Sequence, residues 1–169
     1  TKGGDIDKIV QTVTVYNLKT ETTETYTRDK ISYGYRTQKF LAPHDLVLEG
    51  QFKVALSDPK VIQQSIQSQL AARKASQPID KPSCGSVFKN PDPAKGINAW
   101  KLISDAGLRG KTIGGAQISD LHTNFIINLG QAKAADVKEL INDIKVTIKN
   151  RFGISMEEEV RIVDSKGSV

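Results

Sequence analysis

The chain has 169 residues and a mass of 18.5 kDa, room for one medium domain or two small ones. With 38% apolar and 25% charged residues it can build a core, so disorder is not the default. No apolar run reaches the roughly 18 residues of a membrane span, Thr1–Asp7 lacks a secretory leader's basic start and apolar stretch, and one cysteine with two histidines excludes an internal disulfide and the usual zinc site.

The unpaired Cys84 suits a reducing compartment. The net charge of +5 is uneven: residues 60–111 hold nine Lys or Arg against Asp80, Asp92 and Asp105. That block fits either a solvated face or an anionic partner, nucleic acid or a phosphorylated small molecule. Aromatics at 6%, without basic–aromatic interleaving, argue against stacking on single-stranded nucleic acid.

The chain opens in β pattern. Val13 and Val15 alternate with Thr12 and Thr14, predicting a strand over residues 9–16, and the Thr- and Tyr-rich residues 21–27 predict its return. A third strand is expected over 45–56, anchored by Val47, Phe52, Val54 and Leu56. At Ser57 the period changes. Ser57 or Asp58 can cap a helix with Pro59 in its first turn, and Ile62, Ile66 and Leu70 form its apolar stripe.

Residues 77–96, with Pro78, Pro82, Gly85, Pro91, Pro93 and Gly96, read as a loop with at most a short strand near Val87. A second helix is expected over 98–106 with Gly107 as its stop, and Gly114-Gly115 leads to a strand over 125–128. A third helix over 134–152 aligns Val137, Leu140, Ile141, Ile144 and Ile148 on one face, and Gly153 follows. Residues 160–163 are expected to close the fold as a strand, with a loose tail from Ser165. The class is α+β, in two parts meeting near residue 57.

Several segments carry candidate chemistry. Ser83-Cys84-Gly85-Ser86 would let a backbone approach a ligand, with Lys89 and Asn90 adding a cation and an amide; a plain proline-rich connection fits as well. Cys84 reads as a small buried hydrophobe or as a reactive thiol. In strand parity Glu159 and Arg161 share a face opposite Val160 and Ile162, and Glu157-Glu158-Glu159 is either a solvated acidic run or a source of a functional carboxylate. Arg36, after Tyr35, can fork onto a carboxylate. Neither Gly3-Gly4 nor Gly114-Gly115 completes a dinucleotide fingerprint.

Together these pieces resemble the UDP-N-acetylenolpyruvoylglucosamine reductase family. The run from Pro82 to Pro91 is similar to its serine motif, and Ala106-Gly107-Leu108, Ile113 to Gln117 and His122 to Asn128 are similar to later segments. Glu159-Val160-Arg161-Ile162 resembles its glutamate motif, Tyr35-Arg36 its arginine motif and Gly3-Gly4-Asp5-Ile6 a flavin-proximal segment. The spacing from Arg36 to Ser86 resembles the short type, without an extra tyrosine-bearing loop.

The resemblance implies a cytoplasmic flavoenzyme of peptidoglycan synthesis. In it NADPH reduces FAD, whose N5 passes hydride to UDP-N-acetylglucosamine enolpyruvate to give UDP-N-acetylmuramate. It implies Ser86 as proton donor, Arg36 and Glu159 as groups that polarise substrate and stabilise developing charge, Tyr35, Lys89, Asn90 and His122 as substrate contacts, and Gly3, Gly4 and Ile6 near the flavin. On composition, no metal, nucleic acid or membrane is expected. The domains expected are 1–57, the end of a flavin domain; 58–164, a two-layer α/β substrate domain; and 165–169, a tail. The family's N-terminal flavin-binding region has no counterpart in these residues, so a fragment of a longer enzyme, colourless and inactive by itself, is expected. A UDP-sugar-binding module without turnover and, less favoured, a basic nucleic-acid-binding domain are the alternatives.

Overall fold

The computed structural model describes residues 4–163; Gly3 and the expected tail lie outside them. The chain divides into two units, Thr1–Val61 and Ile62–Val169.

In the first unit, one 3-10 turn (Ile6–Lys8) leads into β1 (Val10–Asn17), which lies between β2 (Thr22–Thr27) and β5 (Asp45–Phe52) in an antiparallel sheet. A short hairpin, β3 (Tyr33–Gly34) and β4 (Thr37–Gln38), stands between them in sequence. Val10, Val13 and Val15 are all buried, although Val10 has the opposite parity. A register shift against β5 between Val10 and Thr12 turns Val10 inward as well. With Ile31 these valines make the buried core, flanked by Tyr26, Tyr33, Phe40 and Leu41. The Asn17 Oδ1 atom accepts from the backbone N–H groups of Lys19 (3.0 Å) and Thr20 (2.9 Å), which sets the turn into β2.

The third strand ends at Phe52 rather than at residue 56. The helix α1 (Pro59–Ser76) begins where its sequence predicts, with the Asp58 carboxylate accepting from Lys60 N–H at 2.7 Å. Its apolar stripe is not a buried one: Ile62, Ile66 and Leu70 are all exposed, and no residue of the helix is buried. The division between the units falls within this helix.

The second unit is a four-stranded antiparallel sheet, ordered β6 (Ser83–Ser86), β9 (Phe125–Asn128), β8 (Ala116–Ile118), β7 (Thr112–Ile113), with α2 (Ala99–Asp105) and α3 (Ala134–Phe152) sharing its core. Leu140, Ile141, Ile144 and Ile148 of α3 are buried, as their spacing predicts, against Val87, Phe88, Ile103, Ile118 and Ile126. The chain is thus α+β.

The start of α3 is tied to the sheet. The Asp136 carboxylate accepts from the N–H groups of Lys133 (2.9 Å) and Gly115 (3.1 Å), and these bonds, that of Lys133 first, hold its carboxyl below the usual aspartate range. Only glycine fits at 115, since a Cβ there would sit 2.4 Å from the backbone nitrogen of Ala132. Gly153 ends the helix in left-handed conformation.

The closing strand over 160–163 does not form. One isolated antiparallel bridge joins Phe88 to Glu158, and both Glu159 and Val160 donate to the same Val87 carbonyl, so no ladder can extend. The parity expected of that strand fails with it: Val160, Arg161 and Ile162 all line one cleft.

Candidate functional site

Ser86 owes its place to an irregularity in β6. Ser83 pairs with Ile127 and Ser86 with Phe125, so three steps along β6 match two along β9. The extra residue sits at Cys84-Gly85, where Gly85 has φ +84. A Cβ at Gly85 would touch nothing, so it is the left-handed backbone and not lack of space that requires glycine. Such a bulge turns the strand and re-aims the next side chain, and it often does so beside functional sites. Ser86 emerges half-buried, followed by fully buried Val87 and Phe88. Cys84 is exposed, which corrects its reading as a buried hydrophobe.

Beyond Ser86 the chain is held on two edges. On one, Val87 N–H donates to the Asn124 carbonyl at 2.8 Å. On the other, Glu159 N–H donates to the Val87 carbonyl at 2.8 Å and Lys89 N–H to the Glu157 carbonyl at 2.9 Å. The glutamate motif therefore runs beside the serine motif, bringing Ser86 and Glu159 into one neighbourhood.

The three glutamates are not equivalent. Glu157, largely exposed, is ion-paired with Lys89. Glu158 pairs with Lys145 at 2.8 Å, and that bond, against a smaller burial effect, holds its carboxyl below the usual glutamate range. Glu159 follows them, half-buried. The expectation of Lys89 as a substrate contact thus meets a cation that already has a carboxylate partner.

Asn90 and His122 flank the same region. The Asn90 Oδ1 atom accepts from Ala99 N–H at 3.0 Å, capping α2 from nine residues upstream, while Asn98 beside the helix makes no side-chain cap. His122 packs edge-on against Phe125 at 4.8 Å and lies 6.4 Å from the Trp100 ring. Its Nδ1 is buried with no hydrogen-bond partner among the described residues. Burial is the largest influence on this imidazole and pushes its pKa down, favouring the neutral ring. An orphaned ring nitrogen is an opening for a ligand or a water molecule.

Tyr35 and Arg36 belong to the first unit and form the two-residue loop of the β3–β4 hairpin. The Arg36 guanidinium lies over the Tyr35 ring, 5.5 Å from its centre. Arg36 has φ 55, one of two non-glycine residues with left-handed backbone among those described. A two-residue hairpin turn demands such backbone, and an arginine in place of glycine there is the strain a functional side chain would account for. Gly4 and Ile6, also in this unit, are exposed.

An apolar cleft of about 400 Å³ opens beside Cys84, between β9, the start of α3 and Val160–Ile162. Ser86, Asn90, His122 and Glu159 do not line it, so the concavity and the candidate chemistry are separate features. No cluster of side chains among the described residues has the makings of a metal site, and no helix is long and apolar enough to cross a membrane. The sequence reading missed Asn124 and Asp136 as organisers. Asn124 carried a signal, a carboxamide at the entrance of the apolar run Phe125-Ile126-Ile127.

Residues 77–163 match the family described as UDP-N-acetylenolpyruvoylglucosamine reductase, C-terminal domain. The UDP-N-acetylenolpyruvoylglucosamine reductase of Geotalea uraniireducens is 48% identical over 136 residues, covering 80% of this chain and 44% of that protein. That of Geobacter metallireducens is 42% identical over 161 residues, covering 95% and 51%. The crystal structure of UDP-N-acetylenolpyruvylglucosamine reductase from Thermus caldophilus is similar with a TM-score of 0.77 at 32% identity, over 96% of this chain and 56% of that one. The chain spans about half the length of the curated relatives it matches. With more than half its residues inside the matching domain, it belongs to the UDP-N-acetylenolpyruvoylglucosamine reductase family.

Proposed function

We propose that this chain supplies the substrate-binding and proton-delivering part of an NADPH-driven reduction of UDP-N-acetylglucosamine enolpyruvate to UDP-N-acetylmuramate, a step of peptidoglycan synthesis in the cytoplasm. Hydride and proton add across the enolpyruvyl double bond, hydride at one carbon and proton at its neighbour. Ser86 Oγ–H gives the proton. The Arg36 guanidinium, and Glu159 when it carries a proton to donate, would stabilise the negative charge that develops toward the substrate carboxylate on reduction. Asn90, His122, Tyr35 and Lys89 hold the substrate, Lys89 after exchanging Glu157 for a phosphate oxygen.

The observation that carries this reading is the bulge at Gly85 with the Glu159–Val87 bond, which together set a half-buried serine beside the glutamate motif. The buried, unpartnered His122 nitrogen supports a ligand there.

In the proposed scheme FAD, when bound, would supply the hydride. A flavin dinucleotide needs a run of backbone N–H donors around its diphosphate. Among the described residues of the first unit, the glycine-containing stretch at 4–6 is too short to make that cradle. These residues do not fit FAD by themselves, and the group's binding site is assigned elsewhere in the native polypeptide. For the chain in isolation this favours a second reading, a UDP-sugar-binding module without turnover.

Titrating the chain with UDP-N-acetylglucosamine enolpyruvate while following the fluorescence of Trp100, its single tryptophan, tests both. Saturable quenching, with NADPH-dependent product formed by the native polypeptide, is expected. Quenching without product would favour the binding module, and no saturable binding would reject both.

A further inference from the structure

Phe88 lies where the sheet runs out. Ser86 still pairs with Phe125, but β9 begins there, and residues 119–124 turn away, with Ser119 N–H donating to the Phe125 carbonyl and Phe125 N–H to that of His122. No strand backbone stands opposite Phe88 on that edge.

The Asn124 carboxamide takes its place. Its Oδ1 accepts from Phe88 N–H at 3.0 Å and its Nδ2 donates to the Phe88 carbonyl at 2.8 Å. A carboxamide presents one acceptor and donors side by side, as a peptide group does, so one side chain completes the ladder for one residue. Both partners are buried, Phe88 at 1% exposure and Asn124 at 5%. Both bonds are shielded from bulk solvent, and either one lost leaves a buried backbone group short of a protein partner.

What these bonds hold matters for the site. Phe88 is two residues after Ser86 and two before Asn90. Its neighbours Val87 and Lys89 carry, on the opposite edge, the backbone bonds to Glu159 and Glu157. Residues 87–89 are thus the middle strand of a short three-edged strip, with the Asn124 side chain on one side and the glutamate motif on the other.

We infer that Asn124 is a positioning residue: its two bonds to the Phe88 backbone fix Ser86 and Asn90 in register with Glu159. The role rests on the proposed function above, since it concerns the same site, but its geometric half stands apart from any activity. A displacement of reacting groups by about 1 Å can cost roughly 10²-fold in rate.

Asn124→Asp is the informative substitution. It is nearly isosteric and keeps the acceptor for Phe88 N–H, while as a carboxylate it cannot donate to the Phe88 carbonyl. Asn124→Ala removes both bonds and serves as the second variant. Ile103→Val is the control, since it loosens the same core while leaving both Asn124–Phe88 bonds in place.

Amide hydrogen exchange of the chain, wild type against variants, reads the geometry. Asn124→Asp is expected to accelerate exchange at least about tenfold at residues 87–89 and at Glu159 and Val160, with the buried turns of α3 unchanged. Turnover of the native polypeptide reads the consequence: kcat falls roughly 10²-fold, KM stays within a few fold, and Ile103→Val keeps near wild-type kcat. Unchanged exchange at 87–89, or equal acceleration throughout the unit, would overturn the inference. So would selective acceleration with wild-type kcat. If wild-type polypeptide forms no product, the proposed function fails, and the exchange comparison still decides whether Asn124 sets the register.

Discussion

The two units bury their apolar residues to different degrees. The second surrounds Phe88, Ile103, Ile118, Leu140, Ile144 and Ile148 so fully that each is below 2% exposed. The first encloses three valines and Ile31, while Leu46, Val47, Leu48 and Phe52 of its strand β5 remain about half exposed. Helix α1, which straddles the division, likewise leaves Val61, Ile62, Ile66 and Leu70 out. Local sequence makes a strand or a helix in either case. Burial is what separates them, and burial supplies most of the stability of an amphipathic element.

The sharpest way to break that comparison is a pair of truncations. Ile144→Ala in α3 opens a cavity in a closed core and is expected to cost about 2–5 kcal/mol. Val47→Ala in β5 removes a half-exposed side chain and is expected to stay within about 0.5 kcal/mol. Denaturant unfolding with probes in each unit would check both. Equal losses would mean that β5 is buried more deeply than its exposure indicates.

A smaller effect sharpens the contrast at Arg36. Its left-handed backbone costs an L-residue about 1–2 kcal/mol, which glycine does not incur. Arg36→Gly is therefore expected to raise the unfolding free energy by up to about 1 kcal/mol while abolishing turnover by the native polypeptide. A variant that is destabilised and still active would remove the strain-for-function reading.

The smallest expected effect is pH dependence in the second unit. Asp136, held down by the N–H groups of Lys133 and Gly115, binds protons less readily folded than unfolded. Its contribution is present above the unfolded value near 3.9 and is lost as pH falls through the lower folded value. Thermal midpoints of the wild type should fall below about pH 4 more steeply than those of Asp136→Asn. Parallel curves would show that the carboxylate is not the group responsible.

Much of this was legible in the sequence, and for reasons that are local. Helix α3 and strand β9 match their expected bounds because period and punctuation agree there: an apolar face at helical spacing, with a glycine stop at 153. Where the outcome depends on distant partners, the pattern misleads. Ile62, Ile66 and Leu70 have helical spacing, yet spacing does not state what lies opposite them. Residues 160–163 have strand composition, but the Val160 N–H shares the Val87 carbonyl with that of Glu159, and no strand follows among the described residues. The hairpin carrying Arg36 has strands of two residues, too short for any periodicity.

The site divides in the same way. Ser86, Asn90 and Glu159 were legible as motifs, because each sits in a run of distinctive residues. Asn124 carried only the hint of a carboxamide before an apolar run, since its role lies in bonds to a residue 36 positions away.

Substitution of Ser86 tests the proposed chemistry most directly. In the native polypeptide, Ser86→Ala should form UDP-N-acetylmuramate from the enolpyruvyl substrate about 10²–10⁴-fold more slowly, the scale of general acid–base catalysis. Cys84→Ser and Glu157→Gln, exposed neighbours with no part in the proposed proton transfer, should remain near wild type. Product formation by Ser86→Ala at the wild-type rate would contradict the assignment of Ser86 as proton donor.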